Sequence, residues 1–497
     1  MGFWASPSSS RRFVVMGDKP ILPGFHPDPS ICRAGDEYFI ANSSFEYVPG
    51  VPIHRSADLV TWELVGHALP DAEEIAAPEG AAGASSGVFA PTLRHHDGRF
   101  WLTTTAIGRI REGQLITHAE HPDGPWSAPV RVPDTIGIDP DLAWDDEGRC
   151  LLTWRSMSPP GIRQVEIDPA TGEQFGDTRM LWPGGGALAE TEGPHLIRRG
   201  DWWYLVVAEG GTGLGHGVSV ARARDPRGPF QEHPANPIFS HRSTGHPVQA
   251  AGHADLVERP DGTWAMVFLG IRQNGSFPRF HVNGRETFLA GVEWVDDWPV
   301  VDEGALAETT EPMGFVERFE SLGLRWVSPS VAPESFARAD GGLVLAAGRD
   351  ASSGEQTRVL CARVTVHEWD ATAAVDDDAC LSVRIDAGHW CGAEVVGGVL
   401  RARAVSAPFD QVFAETQLPD GARLALRARA VDGHHSNGLG PDTISVGYEQ
   451  AGEFTAIAAI DGRYVSTELA GGFTGRMIGI EALGGEVRVR EVVFAPR

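Results

Sequence analysis

The chain is poor in cysteine, in positive charge and in long apolar runs, and each shortage removes a class of function. Cys32, Cys150, Cys361, Cys380 and Cys391 are few, odd in number and scattered, with no Cys-x-x-Cys pair. They form neither a disulfide framework nor a zinc ribbon, and a reducing, cytoplasmic compartment is expected. Lys and Arg number 41 against 67 Asp and Glu, a net charge of −26. Nucleic acid and anionic membrane both need a basic face, so neither is an expected partner. No stretch is long and apolar enough to span a bilayer. Residues 1–18 lack the apolar core of a signal peptide and read as a disordered or tag-like N-terminus. Met1-Gly2 followed by Ser6 matches the short myristoylation pattern, and Met16 is as good a start as Met1.

Helical periodicity is also nearly absent. Short alternating, aromatic-rich segments separated by Gly, Pro, Asp and Asn point instead to an all-β chain. A turn with glycine followed by an apolar strand recurs at Gly35, Gly98, Gly148, Gly200 and Gly262, spaced 63, 50, 52 and 62 residues apart. Units of this size are propeller blades or solenoid repeats, and five small antiparallel sheets predict a five-bladed β-propeller. At 497 residues the chain is too long for one core. The expected division is a propeller over residues 19–313 and a β-sandwich, jelly-roll-like, over residues 314–497. The sandwich reading rests on alternating runs such as Leu381–Ile385 and Val487–Phe494. Trp101, Trp202 and Trp264, on repeat strands, are expected in blade cores.

In a propeller the first strand of each blade lines the axis, so equivalent positions converge. Seven to nine residues before three of the glycines stand Asp28, Asp139 and Glu192. Phe89 and His253 hold the matching places in the other two units. Clustered acids repel one another, and such clusters mark metal sites or acid–base sites. Cleavage of a glycosidic bond needs one protonated carboxyl to donate to the leaving oxygen and one ionised carboxyl to activate water.

The phrases Gly24-Phe25-His26-Pro27-Asp28-Pro29, Gly137-Ile138-Asp139-Pro140, Thr191-Glu192-Gly193-Pro194-His195, Gly252-His253-Ala254-Asp255 and Gly284-Arg285-Glu286 occur in that order. Together they resemble glycoside hydrolase family 43, in its β-xylosidase and α-L-arabinofuranosidase branch. The resemblance implies Asp28 as general base, Glu192 as general acid and Asp139 as the carboxylate that tunes and orients Glu192. It implies an inverting, exo-acting hydrolase that removes terminal xylose or arabinofuranose from oligosaccharides. It places Phe45, Phe89, His253 and Arg285 against the sugar, with Phe473 reaching in from the second domain. No cofactor is required by it; a calcium ion near the axis, beside His253, is the metal it allows. Many xylosidase relatives carry Trp where Phe89 stands and Asp where Thr92 stands, which leaves room for a sugar of different shape. The competing readings are a glycosidase for another furanoside or a galactoside, and a sugar-binding propeller without catalysis. A homo-oligomer is compatible with all of them.

Overall fold

The computed structural model describes residues 17–75, 84–184, 189–275, 278–306, 311, 314–348, 358–431 and 440–497. The readings made above on Met1, Gly2, Ser6 and Met16, and the boundary residue Met313, lie outside them. Among the described residues the chain is almost wholly strand, with one short α-helix at Thr467–Ala470. No helix among them is long and apolar enough to cross a membrane.

Five four-stranded antiparallel sheets follow one another along the first three hundred residues. Their first strands are Ser30–Ala34, Thr92–His96, Gly137–Trp144, Val248–Glu258 and, between the last two, Glu192–Arg199. Each first strand turns back into the second through one of the five repeat glycines. All five glycines have positive φ, from 57° to 81°, the left-handed conformation that tight reversals need and that Gly reaches without a Cβ clash.

Each sheet buries one face against the next. Phe39 meets Phe100 between the first and second sheets, and Trp101 packs with Leu142 and Trp154 between the second and third. Leu196 and Trp203 join Ile162 between the third and fourth. Tyr204, Trp264 and Phe268 fill the space between the fourth and fifth, and Ile40 meets Val267 between the fifth and the first. The sheets therefore close on themselves, and the five first strands meet around one axis. Trp101 and Trp264 are buried, as expected. Trp202 is half-buried: it packs at the edge of the core between the fourth and fifth sheets, and its ring also carries the guanidinium groups of Arg222 at 4.4 Å and Arg224 at 3.7 Å.

Beyond residue 314 an eight-stranded and a six-stranded antiparallel sheet enclose one large core. Leu381 and Val383 of one sheet pack with Leu424, Leu426 and Phe494 of the other. The early chain and this region are joined directly. Tyr47–Val48 pairs with Ser328–Pro329, and Arg363 Nε donates to the Phe25 carbonyl at 2.7 Å.

Candidate active site

Asp28, Asp139, Glu192 and His253 come from four different sheets and line one pocket, with Phe45, Phe89, Arg285 and Phe473 around it. All eight residues expected from the sequence are present. Ala90, Ile138 and Thr212 complete the lining and were not anticipated.

Alternation sends every second residue of a first strand to the same side, at successive levels along the axis. Three of the five first strands break register where a site residue stands: between Ile138 and Asp141, between Glu192 and His195, and between Gly252 and Asp255. A bulge adds a residue and re-aims its side chain. Asp139 and His253 sit inside bulges with φ of 54° and 47°, and Asp28, just ahead of its strand, has φ of 51°. Such left-handed conformations cost roughly 1–3 kcal/mol each and persist only where the surroundings impose them.

The side chains form two layers. In the upper one Asp28 accepts from Ser43 Oγ at 2.5 Å and lies 3.3 Å from both His253 Nδ1 and Arg285 Nη1. Asp139 accepts from the Gly193 amide at 3.0 Å, which ties it to the backbone beside Glu192. In the lower one each first strand adds one more residue. Arg94 donates to Asp255 at 2.7 Å and Asp141 at 2.6 Å, its Nη2 lies 3.0 Å from His195 Nδ1, and Ser30 donates to Asp255 at 2.9 Å. This buried set closes the axis beneath the pocket. Asp141 and Asp255 were visible in the same phrases as Asp139 and His253, two residues further on, but nothing in the sequence paired them with Arg94.

The electrostatics divide the carboxyls. Burial would raise Asp28, but the charge of Arg285 and the hydrogen bonds and charge of His253 outweigh it and hold Asp28 well below the usual carboxylate range. Burial and the neighbouring charge of Asp139 push Glu192 up to about 7, against a lowering by His253 and Arg155. Burial and Asp28 also raise Asp139. His253 is the counterpart. Burial opposes its charge, yet Asp28, Asp139 and Glu192 together bring the imidazole up to about 9, so it is a cation at neutral pH. One buried acid is thus held ionised while another keeps its proton up to about pH 7, in a single pocket.

Gly193 is the tightest point. A Cβ there would lie 2.7 Å from the His253 ring, and its φ of 56° disfavours any side chain. Gly193→Ala is therefore expected to lower Tm by several degrees and kcat at least tenfold, through displacement of Glu192 and His253. Thermal unfolding and kinetics of the purified variant check it; wild-type values in both would refute the steric argument.

One wall of the pocket comes from the second half of the chain. Gly284 and Gly475 approach so closely that a Cβ on Gly284 would lie 2.9 Å from the Gly475 nitrogen. Phe473, two residues earlier, donates its amide to Ser85 Oγ at 2.8 Å and stacks on Phe45 with ring centroids 5.6 Å apart. The Arg285 guanidinium lies 5.0 Å from the Phe473 ring. Phe473 is thus part of the site wall.

Residues 17–299 match the model for glycosyl hydrolases family 43, and residues 316–494 match the beta-xylosidase C-terminal concanavalin A-like domain. A non-reducing end alpha-L-arabinofuranosidase of Bacteroides ovatus is 33% identical over 94% of this chain and 91% of its own length. A xylosidase/arabinosidase of Butyrivibrio fibrisolvens is 40% identical, over 60% of this chain and 59% of its own length. Among solved structures, Bacteroides ovatus xyloglucan PUL GH43B superposes with a TM-score of 0.83 at 31% identity, covering 96% of this chain and 99% of that one.

Proposed function

The chain belongs to glycosyl hydrolases family 43 and is a glycoside hydrolase; from that premise we propose that it releases terminal α-L-arabinofuranose and β-D-xylose from oligosaccharides, with inversion. The observation that carries the reading is the split between Asp28, held ionised, and Glu192, held protonated, in one pocket. Asp28 takes a proton from water as the water oxygen attacks the anomeric carbon. Glu192 gives its proton to the departing glycosidic oxygen as the carbon–oxygen bond breaks. Asp139 acts on Glu192 by charge and, through the Gly193 amide, by position. Arg285, hydrogen-bonded to Thr212 at 2.8 Å, orients sugar hydroxyls. The aromatic walls Phe45, Phe89 and Phe473 take the sugar's apolar face. The wall that Phe473 adds narrows the pocket, and the similarity to a non-reducing end arabinofuranosidase over 94% of the chain supports exo action.

Five sheets whose first strands share an axis support a five-bladed propeller over residues 19–313, and the two-sheet core supports an accessory sandwich over residues 314–497. A calcium ion beside His253 would take oxygen ligands, and the imidazole directs Nδ1 to Asp28 at 3.3 Å, so the ring would neighbour such an ion and not ligate it. The five cysteines are free and buried, which suits a cytoplasmic enzyme acting on imported oligosaccharides.

The test is hydrolysis of nitrophenyl α-L-arabinofuranoside beside nitrophenyl β-D-xylopyranoside. Both should turn over, the arabinofuranoside faster, since Phe89 leaves more width than a Trp. Silence on both from folded protein would overturn the sugar assignment.

Activity should fall as pH rises through about 7, because Glu192 donates only while protonated. The acid limb should lie below the ordinary Asp value of 3.8, where Asp28 at last protonates. Asp139→Asn removes a charge that raises Glu192, so its alkaline limb should move down by roughly one pH unit. An unmoved limb would remove Asp139 from the tuning role.

A further inference from the structure

A second cluster of ionisable groups lies outside the pocket, at the two ends of the fifth sheet. His241 and His246 precede its first strand, and Glu303 follows its last, Trp298–Asp302. One ligand atom from each of the three lies within 4.8 Å of the others. None of the three lines the catalytic pocket.

The hydrogen bonding around the cluster is compatible with a metal. His241 Nδ1 lies 2.9 Å from the Val248 carbonyl; His246 Nδ1 lies 3.1 Å from the same oxygen and accepts from the Val248 amide at 3.1 Å in its other tautomer. When both Nδ1–H groups donate to that carbonyl, both Nε2 atoms carry lone pairs. Metal-bound histidines nearly always anchor their second nitrogen in this way. His241 Nε2 is 3.0 Å and His246 Nε2 is 4.0 Å from the same Glu303 oxygen. Yet neither Nε2 nor that oxygen has an aligned hydrogen-bond partner, although all three atoms are buried. His241 itself is only 5% exposed. In that tautomer two lone pairs and a carboxylate oxygen converge in a buried space, and a metal cation between them satisfies all three at once, where a single proton between His241 and Glu303, 3.0 Å apart, would leave the His246 Nε2 unpaired.

We propose that His241, His246 and Glu303 bind one divalent transition-metal ion of the zinc type. Two imidazoles and one carboxylate are a borderline donor set that suits zinc and excludes calcium or magnesium, which take oxygen. Water supplies the remaining position. The ion is structural. It fastens the entry to the fifth sheet to its exit, and Gly17 joins them, since a Cβ there would lie 3.2 Å from the Glu303 Cβ. The turn that carries the histidines is already braced: Thr244 Oγ donates to the His241 carbonyl at 2.6 Å, and Gln249 donates to that of His246 at 2.7 Å.

Tag-free protein stripped with a chelator, incubated with zinc chloride and desalted should retain one zinc per chain by elemental mass spectrometry. Glu303→Gln and His246→Ala should retain less than about a tenth of that. Zinc should raise the wild-type Tm by roughly 3–8 °C and leave both variants unmoved. Glycosidase turnover by the stripped variants serves as the check on folding, because these residues lie outside the catalytic pocket. Zinc-free wild type after this treatment, or equal zinc in wild type and variants, would overturn the site. If the variants bind no zinc but also lose turnover, Glu303→Asp decides: retained fold with weakened zinc supports the site, and full zinc refutes it.

Discussion

Glu192→Gln is expected to separate substrates by their leaving groups. On an unactivated disaccharide kcat/KM should fall by about 10²–10⁴, the usual contribution of a general acid. On a nitrophenyl glycoside, whose leaving group departs without a proton, the loss should be about tenfold. The alkaline limb of the pH profile near 7 should vanish with the titrating group. Equal losses on both substrates would remove Glu192 from the acid role.

The same variant should be more stable than wild type in alkali. Glu192 is raised from 4.5 to about 7 in the folded protein. Between those values the folded state holds the proton more tightly, so stability falls with rising pH and the cost is complete above 7. That cost is on the order of 2–3 kcal/mol, reduced by the lost contact with Arg155 at 3.8 Å. Thermal unfolding of both proteins at pH 5 and pH 8.5 measures it, and an advantage that does not grow with pH would contradict the shift. A general acid that works near neutrality is, on this account, held at the expense of the fold.

Much of this was legible in the chain. The five glycine turns marked the five sheets because a tight reversal demands a left-handed residue, and that demand is local. The three carboxylates were found because they stood in equivalent places before those turns. Their unequal offsets, seven, nine and eight residues before Gly35, Gly148 and Gly200, reflect two local irregularities. Two of the strands carry a one-residue bulge beside the site residue, between Ile138 and Asp141 and between Glu192 and His195, and the third sheet also reverses through a longer turn, 145–149 against 35–36 and 200–201. A bulge has no fixed sequence signature, so the two-layered axis could not be read. Arg94 is the clearest example: a lone basic residue on a first strand reads as solvated until Asp141 and Asp255 are seen on either side of it. The metal cluster was missed for a similar reason, since Glu303 is 57 residues beyond His246 and meets it only when the fifth sheet folds.

Asp28→Asn should remove turnover without regard to the leaving group. Every substrate needs the attacking water to lose a proton, so the nitrophenyl glycosides and the disaccharide should all fall by about 10⁴ or more in kcat, with KM little changed. Asn is the informative replacement. It tolerates the φ of 51° that Asp28 adopts, and its amide oxygen can still accept from Ser43. It cannot act as the base, and it leaves His253 and Arg285 without their anion. His253 owes its rise to about 9 chiefly to Asp28, against burial, so in the variant it should titrate far lower and become neutral near pH 7. Its proton resonance would then shift between pH 5 and 7 in the variant and not in wild type. The pocket loses an ion pair but also sheds a buried cation, so the fall in Tm should be a few degrees. Turnover in Asp28→Asn within tenfold of wild type would end the base assignment. A loss confined to poor leaving groups would mean that Asp28 and Glu192 have exchanged roles.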